Sequence, residues 1–132
     1  MPEIAVSRDG HVVSLTLPAA PSHAAWTELA AAAGALRDDD SASVVLVAAD
    51  GDFGLAAPDD RIAAGDILRG IELLPRPVIA VIEGAATGAG LALALASDVR
   101  IAGERASFAA GAAAAELLGL GITQRLPRLA GR

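Results

Sequence analysis

The 132-residue chain contains no cysteine, no tyrosine and no lysine. Without cysteine it can form no disulfide, offer no thiolate nucleophile and build no Cys-ligated zinc site. Aromatic residues are scarce as well, with Trp26, Phe53 and Phe108 the full complement. The core must therefore be packed by aliphatic side chains and close backbone contacts, and a hydrophobic content of 54% in which alanine dominates is ample for one. Every basic residue is arginine, and ten of them stand against sixteen acids for a net charge of −6. That balance disfavours nucleic acid or an anionic membrane as a general partner, while leaving a local arginine free to meet a phosphate. Met1-Pro2-Glu3 starts no signal peptide, and glycines and charges interrupt each apolar run before membrane-spanning length. A cytoplasmic protein is expected, with no metal-ligand cluster.

Length predicts a single domain over residues 1–132. Ile4 to Ser7 and Val12 to Thr16 flank Asp9-Gly10, a hairpin turn signal. Ser22 is placed to cap a helix running to about Arg37, with Trp26, Leu29, Ala33 and Leu36 recurring on its buried face. Val44 to Ala48 reads as a buried strand. Arg61 to Leu74 then reads as a helix with Ile62, Ile67, Leu68 and Ile71 on one side, stopped by Pro75 and Pro77. Pro77 to Ile82 is β-branched and apolar without polar alternation, which predicts a strand buried on both faces. Val99 to Ala102 predicts a further strand, and Ala109 to Leu118 and Thr123 to Leu129 predict helical pieces. The βαβ succession with short connections predicts an α/β layered fold.

The stretch from Pro77 to Ala102, PVIAVIEGAATGAGLALALASDVRIA, carries the chemistry. Gly84, Gly88 and Gly90 let the backbone turn sharply and approach a ligand, and the following helix start aims its free N–H groups back at the turn. Such donors can hold an oxyanion. Pro77 to Ala80, the three glycines, Ser97-Asp98-Val99-Arg100 and Ile101-Ala102 fall into a pattern that resembles the crotonase (enoyl-CoA hydratase/isomerase) superfamily. Thr123-Gln124-Arg125-Leu126-Pro127-Arg128-Leu129 is similar to a second motif of that family, in the same order. The resemblance runs from about Ile4 to Arg132.

It implies a crotonase-like spiral of ββα units, and an acyl-CoA ligand whose thioester carbonyl sits between two backbone N–H groups. It implies no cofactor. Phe53-Gly54-Leu55-Ala56-Ala57-Pro58-Asp59 resembles the segment that supplies the first donor, which falls on Ala57; the second falls on Ala89. Two departures stand out in the first segment. The family's glycine before the donor is Ala56 here and its aspartate after it is Pro58, which removes an N–H and restricts Ala57 to extended backbone. The family's two glutamates, paired acid and base for hydration, are replaced by Ala92 and Ala112. A methyl group transfers no proton, and a positioned acid or base is worth about 10²–10⁴ in rate. Standard hydratase activity is therefore not expected. Glu116, one helical turn past Ala112, is the candidate remaining acid, against its reading as a solvated helix residue. Arg61 is the candidate contact for the CoA phosphates, against its reading as part of a surface helix start. Asp98 and Arg100 read as structural, His11 and His23 as exposed, and Ser97 and Ser107 as packing residues.

Relatives continue into helices that cover the acyl pocket and build a trimer, so the chain is expected to be C-terminally shortened. Leu117, Leu118, Leu120, Ile122, Leu126 and Leu129 would then offer a leucine-rich surface and drive a homo-oligomer, a trimer by resemblance. Two functional readings stand side by side. One is a weak enzyme using the backbone donors of Ala57 and Ala89 with Glu116 or another, unplaced acid. The other is a non-catalytic binding or assembly subunit, or a truncated or decayed homologue.

Overall fold

The chain opens with a hairpin in which β1 (Ala5–Asp9) pairs antiparallel with β2 (Val12–Leu17), Asp9 lying opposite Val12. Gly10 takes φ 61 at the first position of the two-residue turn, a conformation that glycine adopts without a Cβ penalty. A computed structural model describes residues 2–59, 61–110 and 120–131. Next come α1 (Ala24–Arg37), β3 (Val44–Ala49), α2 (Ala64–Glu72) and β4 (Val78–Ile82). They are followed by β5 (Ala85–Thr87), α3 (Ala89–Ala96), β6 (Val99–Ala102), β7 (Ser107–Ala109) and α4 (Ile122–Ala130). Five strands form one sheet in the order β1-β2-β3-β4-β6, parallel from β2 onward. β5 and β7 form a separate parallel pair, which Phe53 joins through a bridge to Ala86. None of the described helices is long and apolar enough to cross a membrane.

Alternation along the strands sets the core. Val13, Leu15 and Leu17 of β2, Val45 and Val47 of β3, and Val78, Ala80 and Ile82 of β4 are buried together with Trp26, Leu29 and Ala33 of α1 and Leu68 and Ile71 of α2. Leu46, Ile79 and Val81, on the opposite face, keep partial solvent contact. The β4 strand is thus buried on one face, not both, because an unbroken apolar run records tolerance of burial on either side and not which side is covered. α3 differs: all eight of its residues are buried, as expected of a helix that is apolar all round.

Side chains around α3 lock it to the sheet. Asp98 accepts the Val78 N–H at 2.8 Å. Arg100 donates to the carbonyls of Ala94 and Ser97, at 3.2 and 2.6 Å, where a cation complements the helix C-terminus. The Ser97 hydroxyl donates to the Leu93 carbonyl at 3.0 Å. Asp98 and Arg100 are structural, each through its own backbone partner.

Four expectations need correction. α1 begins at Ala24 with His23 in the cap position, one residue later than a Ser22 cap predicts, although the Ser22 hydroxyl, which donates to Glu3, does accept the Ala24 N–H at 3.2 Å. α2 begins at Ala64, not Arg61. Asp59 folds the preceding residues into a turn, accepting the Arg61 N–H on its side chain at 2.9 Å and the Ile62 N–H on its carbonyl at 3.0 Å. Ala109 pairs with Thr87 in β7 and so cannot start a helix; the rest of that expected helix lies outside the described residues. Finally, Leu120 and Ile122 are buried in the chain's own core and Leu126 is half-buried, leaving Leu129 exposed. Leu117 and Leu118 lie outside the described residues.

Candidate functional site

The segment from Phe53 to Ala57 crosses the N-terminal end of α3. Phe53 is fully buried and donates its N–H to the Ala85 carbonyl at 2.9 Å, which ties the segment to β5. Gly90, in the first turn of α3, lies so close that a Cβ there would sit 2.0 Å from the Phe53 carbonyl oxygen and 2.8 Å from the Gly54 Cα. Glycine is what permits the contact. The two turns that the sequence singles out are therefore packed side by side, with Ala57 three residues past Gly54 and Ala89 one residue before Gly90.

Ala89 is the first residue of α3 and follows Gly88, whose φ of 53 and ψ of −122 suit glycine alone. Its N–H belongs to the first turn, where no intrahelical acceptor exists. Ala57 is placed by α1. The Trp26 indole N–H donates to the Ala56 carbonyl at 2.8 Å. Because a trans peptide sends its C=O and N–H to opposite edges, the Ala57 N–H of that same peptide is turned away from Trp26. The next carbonyl, that of Ala57, lies 2.8 Å from His23 Nε2. Among the described residues, neither the Ala57 N–H nor the Ala89 N–H meets a backbone acceptor. The two carbonyls that precede Pro58 are both held by side chains, one from α1 and one from its cap residue.

Ala92, one turn into α3, is fully buried. Ala112 and Glu116 lie outside the described residues. Asp59 pairs with Arg61 at 2.8 Å, and that hydrogen bond holds the carboxyl below its ordinary range while raising the guanidinium. The Arg61 side chain is 87% exposed. His23, Thr27, Asp59, Arg61 and Ile62 line a cavity of about 320 Å³ beside the loop.

Sequence reasoning placed Trp26 on a buried face and gave His23 no role. The burial of a lone tryptophan was the available signal for the first, since an indole N–H taken from water needs an acceptor. Nothing local pointed to His23, whose partner is 34 residues away.

Residues 17–132 match the model of a family described as enoyl-CoA hydratase/isomerase. A probable enoyl-CoA hydratase from Mycobacterium avium is 35% identical over 144 residues, covering 95% of this chain and 56% of that protein. Among solved structures, a monofunctional enoyl-CoA isomerase from M. smegmatis superposes with a TM-score of 0.82 at 34% identity, covering 98% of this chain and 63% of that one. An enoyl-CoA hydratase from Bacillus anthracis gives a TM-score of 0.80 at 30% identity, with 99% and 59% covered. The α/β crotonase-like fold is thereby established. The chain spans about three-fifths of the length of these relatives.

Proposed function

The chain belongs to the enoyl-CoA hydratase/isomerase family, and on that premise we propose that it binds an acyl-CoA thioester whose carbonyl is received by the backbone N–H groups of Ala57 and Ala89. The observation that carries this reading is the seating of the Phe53–Ala57 segment on the first turn of α3 through Gly90, with the Ala56 carbonyl held by Trp26 and the Ala57 N–H turned the other way. Two such donors favour the enolate-like oxyanion over the neutral carbonyl. Losing one costs about 3–4 kcal/mol of transition-state stabilisation in comparable sites.

What the site does after binding depends on proton carriers. Ala92 is a fully buried methyl group at one of the two positions where the family holds an acid, and Ala112 stands at the other. Syn hydration by the usual pair of carboxylates is therefore not part of the reading. Glu116 is the acid proposed for a residual isomerase-type proton transfer, and Arg61 is the proposed contact for a CoA phosphate, its exposed guanidinium having only Asp59 to satisfy among the described residues. The buried Ala92 favours a second reading, a subunit that binds acyl-CoA without turning it over.

Both readings predict negligible hydration of crotonyl-CoA by the purified chain, and turnover near about 10 s⁻¹, ordinary for a metabolic enzyme, would contradict them. Both also predict that acyl-CoA raises the thermal midpoint in a concentration-dependent way, more than free CoA does. Double-bond isomerisation that disappears in Glu116→Gln separates the weak enzyme from the binding subunit.

A further inference from the structure

His23 occupies the N-cap position of α1, yet its side chain makes no capping hydrogen bond. The imidazole reaches instead across to the donor loop, where Nε2 lies 2.8 Å from the Ala57 carbonyl oxygen. A carbonyl oxygen only accepts, so Nε2 carries the hydrogen. Behind the ring, Nδ1 lies 3.6 Å from Asp59 Oδ2. That carboxylate is fixed in turn by the Arg61 guanidinium at 2.8 Å and by the Arg61 backbone N–H at 2.9 Å. Pro58 confines Ala57 to extended backbone, and within that basin the direction of the Ala57 carbonyl is what His23 holds. The His23 side chain is half exposed. Its contact with the loop is thus better suited to aiming the segment than to holding the core together.

We propose that His23 is a positioning residue for the Ala57 donor: by donating from Nε2 to the Ala57 carbonyl, it keeps the loop in the arrangement that presents the Ala57 N–H to a ligand carbonyl. The inference rests on the acyl-CoA reading above and adds a residue that acts through another, without touching the ligand.

The test compares the affinity of the full chain for a short acyl-CoA thioester with its affinity for the matching S-alkyl CoA thioether, which keeps the chain and the nucleotide but lacks the carbonyl. The ratio of the two reports carbonyl anchoring alone. A purely structural lesion lowers both affinities together and leaves the ratio unchanged. The wild-type chain is expected to prefer the thioester, and His23→Ala to lower that preference about fivefold, the worth of one hydrogen bond, while still melting in one cooperative transition. His23→Gln, whose side-chain amide can donate to the same carbonyl, is expected to restore most of it. A thioester preference that is present in the wild type and undiminished in His23→Ala overturns the role of His23 and leaves the acyl-CoA reading standing. Absence of any preference in the wild type overturns that reading, and this inference with it.

Discussion

A β-carbon on Gly90 would press into the Phe53 carbonyl oxygen and the Gly54 Cα, both backbone atoms that cannot swing aside. Gly54, on the other side of the same contact, has no atom within 4 Å of where its own β-carbon would stand, and its φ is not positive. The two substitutions should therefore part company. Gly90→Ala is expected to destabilise by about 1–3 kcal/mol through overpacking, whereas Gly54→Ala is expected to be neutral or to gain about 0.4–1 kcal/mol through the unfolded chain. Thermal melts of the two variants check this, and equal shifts would contradict the packing of the loop on α3. At this scale the candidate donors were legible, because three glycines at fixed spacing before an apolar helix state a backbone requirement in the sequence itself. The indole of Trp26 and the imidazole of His23 were not. Their acceptors are carbonyls 30 and 34 residues away, and a carbonyl leaves no mark in a sequence.

Among the elements, the connection from α1 to β3 carries a proton-linked contact. Asp39 accepts from the Ser41 hydroxyl and backbone N–H and pairs with Arg8 of β1. The Ser41 hydrogen bond first, and the Arg8 contact second, lower its carboxyl from 3.8 to about 2. The unfolded chain takes up the proton earlier as pH falls, so the stability supplied by the ionised group is fully present above pH 3.8 and is lost by about pH 2. Wild type and Asp39→Asn should differ in midpoint at pH 5 and converge as the pH is lowered through that window. A difference that stays constant down to pH 2 would contradict the assignment. Element positions were largely legible from periodicity, since Trp26, Leu29, Ala33 and Leu36 of α1 are buried as their spacing requires. Alanine-rich sequence was less informative. Ala109 has the propensity of a helix former, but its pairing with Thr87 decides the matter, and pairing between distant strands overrides local preference.

For the whole molecule, the fold followed from two long motifs in the right order, while the basis for assembly did not survive intact. Leu120 and Ile122 were expected at the surface and lie in the core, because α4 packs against α3 and turns its first apolar residues inward. The apolar side chains that remain well exposed include Val99 and Ile101 of β6, Phe108 of β7 and Leu129 of α4. A homo-oligomer, by family resemblance a trimer, remains the proposal, and these residues are its proposed support. Light scattering at high micromolar concentration should report an assembly, and Ile101→Arg should weaken it; a well-behaved monomer would contradict the proposal.

The central claim, that a thioester carbonyl is received by the Ala57 and Ala89 N–H groups, has a spectroscopic signature. Hydrogen bonds to a carbonyl oxygen draw electron density from the C=O bond and lower its stretching frequency. The direct measurement is an isotope-edited infrared difference spectrum of an acyl-CoA carrying ¹³C at the thioester carbon, free and bound. Ala89→Pro is the control, since proline is tolerated at the first helical position and deletes one donor. The account predicts a carbonyl band lowered on binding to the wild-type chain and partly returned toward the free value in Ala89→Pro. A bound ligand whose carbonyl band is unshifted, or shifted equally in both proteins, would contradict it.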